Sequence, residues 1–159
     1  MMLNKFRYIL KYVIVWRRNR NLRVSKKEKM KVIFDSNFLF IPSQFQLDIF
    51  EELANLLNQR FDPILLSPTQ KELQKLAKEA SPKTRQQASL ALKLAEKCRI
   101  VHVEKGLKET HDDVIVRVAA EWKCPVATND RELRKRLRKL GVPVIFLRQR
   151  RRLELDGAV

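Results

Sequence analysis

Val32-Ile33-Phe34-Asp35-Ser36-Asn37 is an apolar run that stops at a carboxylate and passes into two small polar residues. Three hydrophobes in succession, rather than alternating with polar residues, mark a strand buried on both faces. A carboxylate ending such a strand costs several kcal/mol, on the order of an unsatisfied buried polar group, unless something compensates it. The stretch therefore predicts a covered sheet, with chemistry at the carboxyl end of its first strand.

Downstream the pattern alternates. Ser43 precedes a helical stripe of Leu47, Phe50, Leu53, Ala54 and Leu57, spaced three or four apart. Pro63-Ile64-Leu65-Leu66 is a second strand, with proline tolerated at its start. Ser67-Pro68 and Ser81-Pro82 each open a helix, because proline suits the first helical position. Ile100 to Val103 is the third strand, and Asp112 begins a helix reaching about Trp122. Pro125 to Thr128 is the fourth strand, and Asp130 opens a helix with Leu133, Leu137 and Leu140, stopped by Gly141. Pro143 to Leu147 is the fifth strand. Apolar-run strands separated by helices predict an α/β fold of three layers, α/β/α, with a central parallel sheet of about five strands.

In open parallel sheets the working site lies beyond the carboxyl ends of the strands. Four acids meet that rule. Asp35 ends strand one, Glu72 lies in the first turns after strand two, Asp112 opens the helix after strand three, and Asp130 follows strand four. They converge although 37, 40 and 18 residues separate them along the chain. Taken singly, Asp112 and Asp130 are ordinary helix caps and Glu72 an ordinary surface acid; Asp35 resists such an explanation. Clustered carboxylates raise one another's pKa, and a divalent ion reverses that preference. Oxygen-only ligands point to Mg²⁺ or Mn²⁺, and neither His102 nor His111 has a partner that suits zinc. Ser36, Asn37 and Thr128 are candidates for hydrogen-bonding these acids from behind, and His111 reads as polar loop surface.

Charge is distributed as unevenly as the acids are clustered. The net charge is +16, yet residues 31–130 hold 14 basic and 14 acidic side chains. Residues 1–30 carry ten Lys/Arg against Glu28, and residues 131–152 carry ten against Glu132. A neutral body with two basic ends predicts a polyanionic partner. Arg131, Arg134, Lys135 and Arg138, on the helix that starts at the proposed site, are the candidate polyanion-binding residues. Cys98 and Cys124 are too few for a disulfide framework or a CxxC zinc site, and they read as small buried hydrophobes in a reducing, cytoplasmic setting. Tyr8 to Trp16 is too short to span a bilayer and lacks a signal-peptide cleavage pattern, so no transmembrane segment is expected. Residues 1–30 are read as a basic, flexible or appended extension, with an interfacial amphipathic helix as the alternative. Residues 31–150 form the domain and 151–159 a C-terminal tail.

The residues also match a known pattern. The stretch from Val32 to Asn37, the Glu72-Leu73 pair, Asp112 before an apolar helix and Thr128-Asn129-Asp130 resemble the four motifs of PIN-domain nucleases. The run from Asp35 through Pro42 to Leu53, and those from Val126 to Leu133 and Gly141 to Ile145, are similar to the archaeal and eukaryotic branch related to the small-subunit rRNA-processing endonuclease. The resemblance implies strand order 3-2-1-4-5, Mg²⁺ or Mn²⁺ held by Asp35, Glu72, Asp112 and Asp130, and hydrolysis of single-stranded RNA leaving a 5′-phosphate. It departs from the pattern at His111, where the family usually has a small residue. The function this favours is an endoribonuclease of pre-rRNA maturation. A toxin ribonuclease of the VapBC type keeps the chemistry and changes the target, and a non-catalytic RNA-binding scaffold keeps only the fold. Expected partners are single-stranded RNA or pre-rRNA, with ribosome-assembly factors in the first case, an antitoxin in the second, and a homodimer as an assembly open to either.

Overall fold

The computed structural model describes residues 28–159. The expected amphipathic or appended segment from Tyr8 to Trp16 lies outside the described residues. In chain order the elements are β1 (Met30–Phe34), a 3₁₀ turn (Ser36–Phe40), α1 (Ile41–Phe45), α2 (Ile49–Leu57), β2 (Phe61–Leu66), α3 (Ser67–Glu79), α4 (Pro82–Ala95), β3 (Arg99–Val101), α5 (His111–Trp122), β4 (Val126–Ala127), α6 (Arg131–Lys139), β5 (Val144–Arg148) and β6 (Arg152–Asp156). The sheet order is β3-β2-β1-β4-β5-β6.

β1 is parallel to β2 and β4, which flank it, and this places Asp35 near the centre of the sheet edge. The apolar runs are explained by which way each residue faces. Val32 and Phe34 join Leu65, Ala127 and Ile145 in one core, packed with residues of α1 to α4. Ile33 joins Ile64, Leu66, Val126 and Val144 in a second, packed with α5 and α6. β1, β2, β4 and β5 thus bury both faces, and the helices divide into two covering layers.

The sheet has one strand more than expected. Arg152–Asp156, expected to be tail, forms β6 and pairs antiparallel with β5 from Val144↔Asp156 to Arg148↔Arg152. Its Leu153 enters the first core at 5% exposure. The helix expected from Ser43 is two helices. Gln46 adopts a left-handed conformation (φ 53°) that ends α1, and Asp48 restarts the chain as the cap of α2, its Oδ1 accepting from the N–H groups of Phe50 and Glu51. Pro63 lies inside β2 rather than at its start. It is tolerated because β3 begins to pair only at Ile64↔Arg99, so Pro63 faces an unpaired stretch on that side. Gly141 has φ 74°, the left-handed conformation expected where α6 stops.

Candidate active site

β1 delivers Asp35 to the sheet edge at 6% exposure. Its Oδ1 accepts from the Ser36 N–H at 2.8 Å, capping the 3₁₀ turn, and its Oδ2 accepts from the Thr128 hydroxyl at 2.7 Å. Burial pushes the Asp35 carboxyl up to about 6; the Thr128 bond opposes this, the Asp112 charge adds to it, and the Glu72 charge adds a smaller share. Ser36 therefore acts through its backbone rather than its side chain.

Behind Asp35 lies a relay of short polar contacts. Thr128 is fully buried, and besides donating to Asp35 its Oγ1 accepts from the Asp130 N–H at 3.1 Å. Asn37 Oδ1 accepts from the Asn129 N–H at 3.1 Å, and Asn129 Oδ1 accepts from the Leu147 N–H at 2.9 Å. Thr128 bonds Asp35 through its side chain and Ser36 does so through its backbone, whereas Asn37 accepts from Asn129, lies beside Thr128 and bonds no acid; Asn129 was not foreseen. The Thr-Asn-Asp run did not single it out, since Asn beside polar neighbours after a strand is an ordinary turn former.

The remaining acids come from the helices. Asp130 caps α6, its Oδ1 accepting from the Glu132 and Leu133 N–H groups at 2.8 and 3.1 Å. Asp112 lies in the first turn of α5, whose cap is Thr110. Its carboxyl is raised by partial burial and then by the Asp130 charge, with Arg136 opposing and Glu72 and Asp113 adding to the rise. Glu72 stands in α3 with Oε1 3.7 Å from His111 Nδ1, too far for a hydrogen bond. Each predicted acid therefore acts electrostatically on at least one other: Asp35 with Asp112 and Glu72, Asp112 with Asp130 and Glu72. Their side chains are not drawn together as they stand. Among the described residues no group of three His, Cys, Asp or Glu is close enough to hold an ion. The oxygen donors of these acids are of the kind that could hold a hard divalent cation.

Asp113 does not pair with Arg117, as helix spacing would have it. It forms a capping box with Thr110, and its Oδ1 accepts from Arg136 Nη2 at 2.7 Å across to α6. Arg117 turns instead to Glu109 and the Glu104 carbonyl. The backbone N–H of Thr110, followed by the Arg136 and Thr110 side chains, holds Asp113 down at about 2.

The four candidate RNA-binding bases separate. Arg131 and Arg134 line a cleft of about 360 Å³ with Asn129, Phe146, Arg148 and Gln149, next to the site. Lys135 pairs with Glu132 at 2.9 Å. Arg138 is taken up elsewhere, donating to Asp156 Oδ1 at 3.1 Å and to the Val142 carbonyl at 3.2 Å. Asp156 pairs with the first residue of β5, at the end of the sheet opposite the acids, so Arg138 lies far from them.

The sequence matches a family model described as a PIN like domain over residues 32–150. Ribonuclease VapC4 of Methanocaldococcus jannaschii is 31% identical over 130 residues, covering 81% of this chain and 98% of that protein. The rRNA-processing protein FCF1 of Saccharomyces cerevisiae is 34% identical over 122 residues, 75% of this chain, which spans 60% of that longer protein. Among solved structures, the PIN domain endonuclease Utp24 superposes with a TM-score of 0.68 at 30% identity, over 81% of this chain and 92% of that one. Fold and relatives agree, and the chain belongs to the PIN-domain family of nucleases.

Proposed function

We propose that the protein is a metal-dependent endoribonuclease whose ion is held by Asp35, Glu72, Asp112 and Asp130. The observation that carries this is Asp35: a buried carboxylate beside other negative groups, with no cation of the described residues bonded to it. The donor set is all oxygen and fits Mg²⁺ or Mn²⁺. Once bound, such an ion acidifies a water and neutralises charge building on the phosphodiester. The chain's own residues supply the rest. Thr128 fixes the Asp35 carboxylate, Asp130 is held in place by its own cap, and Arg131 at the start of α6 is placed to receive a phosphate.

Processing of pre-rRNA is the reading favoured by the likeness to Utp24 and FCF1, where the sequence identities and the structural superposition point the same way. The match to VapC4 along 98% of that ribonuclease favours a second reading, a toxin with tRNA or mRNA as target and an antitoxin as partner. Mapping cleavage on total cellular RNA, with Asp35→Asn as control, tests both. Cuts in precursor rRNA support the first reading, and cuts in tRNA or mRNA support the second. Cleavage that persists in excess chelator, or in the Asp35→Asn protein at near the original rate, would sink the metal-nuclease proposal.

A further inference from the structure

The β5–β6 hairpin carries a charge and a backbone conformation that the four-acid site does not use. Its turn reads Arg148-Gln149-Arg150-Arg151-Arg152. Arg148 donates to both Glu154 carboxylate oxygens, at 2.7 and 2.8 Å. Among the described residues no acidic side chain lies within ion-pairing distance of Arg150, Arg151 or Arg152.

Gln149 and Arg150 both have left-handed backbones, φ 52° and 57°, and the Arg151 N–H donates to the Arg148 carbonyl at 3.1 Å. Turns with two consecutive left-handed residues favour Asn-Gly or Asp-Gly. Here a glutamine and an arginine occupy those positions, against their conformational preference. The same conformation ends helices at Gln46 and Lys123, so it fixes the shape of the turn and does not by itself name a task.

Position indicates the task. β5 runs parallel to β4, and β4 to β1, so the turn after β5 opens at the same sheet edge as the acids. The root of the hairpin is fastened to the site through Leu147, Asn129 and Asn37, the last only two residues from Asp35. Between the turn and α6 lies the cleft that includes Arg131, Arg134 and Phe146, with the Arg134 guanidinium 4.2 Å from the Phe146 ring centroid.

We propose that the turn and this cleft form a grip for single-stranded RNA beyond the scissile phosphate. Arg131, Arg150 and Arg151 take backbone phosphates, and the Arg134–Phe146 pair offers a planar face on which a base stacks. Arginines without an acidic partner beside a guanidinium held over an aromatic ring are the combination single-stranded nucleic acid uses, charge for the backbone and a π surface for the bases. An acidic protein would need the charge alone. The inference rests on the RNA substrate proposed above and extends its contacts beyond the scissile phosphate, to Arg150, Arg151 and the Arg134–Phe146 pair.

The test is made without divalent ion, so it reads binding whether or not the protein cuts. A fluorescent oligouridine of about twenty nucleotides is titrated with the full chain between about 50 and 200 mM salt, the range over which phosphate binding shows. The variant Gln149→Asn/Arg150→Gly/Arg151→Gln gives the turn its preferred residues and removes two charges. Its unfolding temperature should equal or exceed that of the unaltered protein, while its salt slope falls by ~1.4, or ~0.7 for each single-strand phosphate no longer neutralised. Arg150→Lys/Arg151→Lys should retain the slope. A folded triple variant with an unchanged slope overturns the proposal. So does a lysine variant that loses as much slope as the triple variant, since charge on phosphate would not then be the cause. If the triple variant instead loses affinity for a polyglutamate peptide and none for RNA, the surface belongs to an acidic protein and the RNA grip is wrong.

Discussion

Thr128 joins two of the candidate acids through one oxygen, donating to Asp35 at 2.7 Å and accepting from the Asp130 N–H at 3.1 Å. Asp35 nonetheless titrates near 6, because two hydrogen bonds do not offset its burial and its acidic neighbours. The folded protein therefore holds a proton on Asp35 at pH values where the unfolded chain, near 3.8, has released it. Stability falls as pH rises through that window, by on the order of 3 kcal/mol across about two pH units. Asp35→Asn can keep the Ser36 bond, and the Thr128 hydroxyl can turn to accept from the new amide. In the metal-free protein this variant should match the original near pH 4 and be the more stable at pH 8 by thermal unfolding, while losing cleavage. A difference that does not change with pH would contradict the burial argument. Asp112 and Asp113 should likewise separate. Asp112→Asn should cost cleavage more than the ~10–100-fold typical of losing an outer partner of a metal ligand. Asp113→Asn should keep cleavage but melt earlier, because it weakens the capping box and loses the charge pair with Arg136. Asp113 is held below the ordinary carboxylate range, so its stabilisation is present above pH 3.8 and lost as pH falls through about 2. Assaying both variants at matched Mn²⁺ decides between the two acids; a dead Asp113→Asn beside an active Asp112→Asn would move the candidate ligand by one residue. The placement of the four acids was legible because each ends a strand or lies at or near a helix start. The partner of Asp113 was not, since Arg136 is 23 residues away and only the packing of α5 on α6 brings it near.

At the scale of elements, strands that are unbroken apolar runs were legible, and the one strand that was missed is not such a run. Arg152-Leu153-Glu154-Leu155-Asp156 alternates and is mostly charged, the pattern of an edge strand with one wet face. The break between α1 and α2 was missed for a different reason. The hydrophobic spacing continues across it, and only the left-handed Gln46 interrupts the helix. β6 changes the meaning of the basic helix α6. Arg138 fastens the last residue of β6 and the Val142 carbonyl, so it serves the fold, whereas Arg131 faces the cleft near the acids. Arg138→Ala should therefore lower the unfolding free energy by about 1 kcal/mol, the usual worth of a partly exposed hydrogen-bonded pair, and leave the salt slope of RNA binding where it was. Equilibrium denaturation and the same salt titration read the two effects separately. A slope reduced by ~0.7 would return Arg138 to the phosphate-binding set.

Across the whole molecule, the net charge and the candidate acids are carried by different parts of the chain. The residues from 31 to 130 are balanced and include the four candidate acids, while residues 1–27 hold nine basic side chains and no acid. β1 starts at Met30 and is paired on both sides, by β2 and by β4, and both cores close using residues from Met30 onward. Among the described residues the packing runs from Met30 onward, and long-range attraction for a polyanion gains from every basic residue near the surface. A chain beginning at Glu28 should unfold at close to the original temperature, keep its dependence on Asp35 for cleavage, and bind long RNA more weakly with a shallower salt dependence. The slope should drop by ~0.7 for every phosphate that residues 1–27 would otherwise neutralise. Circular dichroism melts and salt titrations on the two chains, made side by side, separate these effects. If the shortened chain is unfolded, residues 1–27 complete the domain rather than extend it. If it folds and binds RNA with the full slope, the upstream bases take no part in holding the substrate, and the second basic region, from α6 into the β5–β6 turn, carries the whole electrostatic attraction.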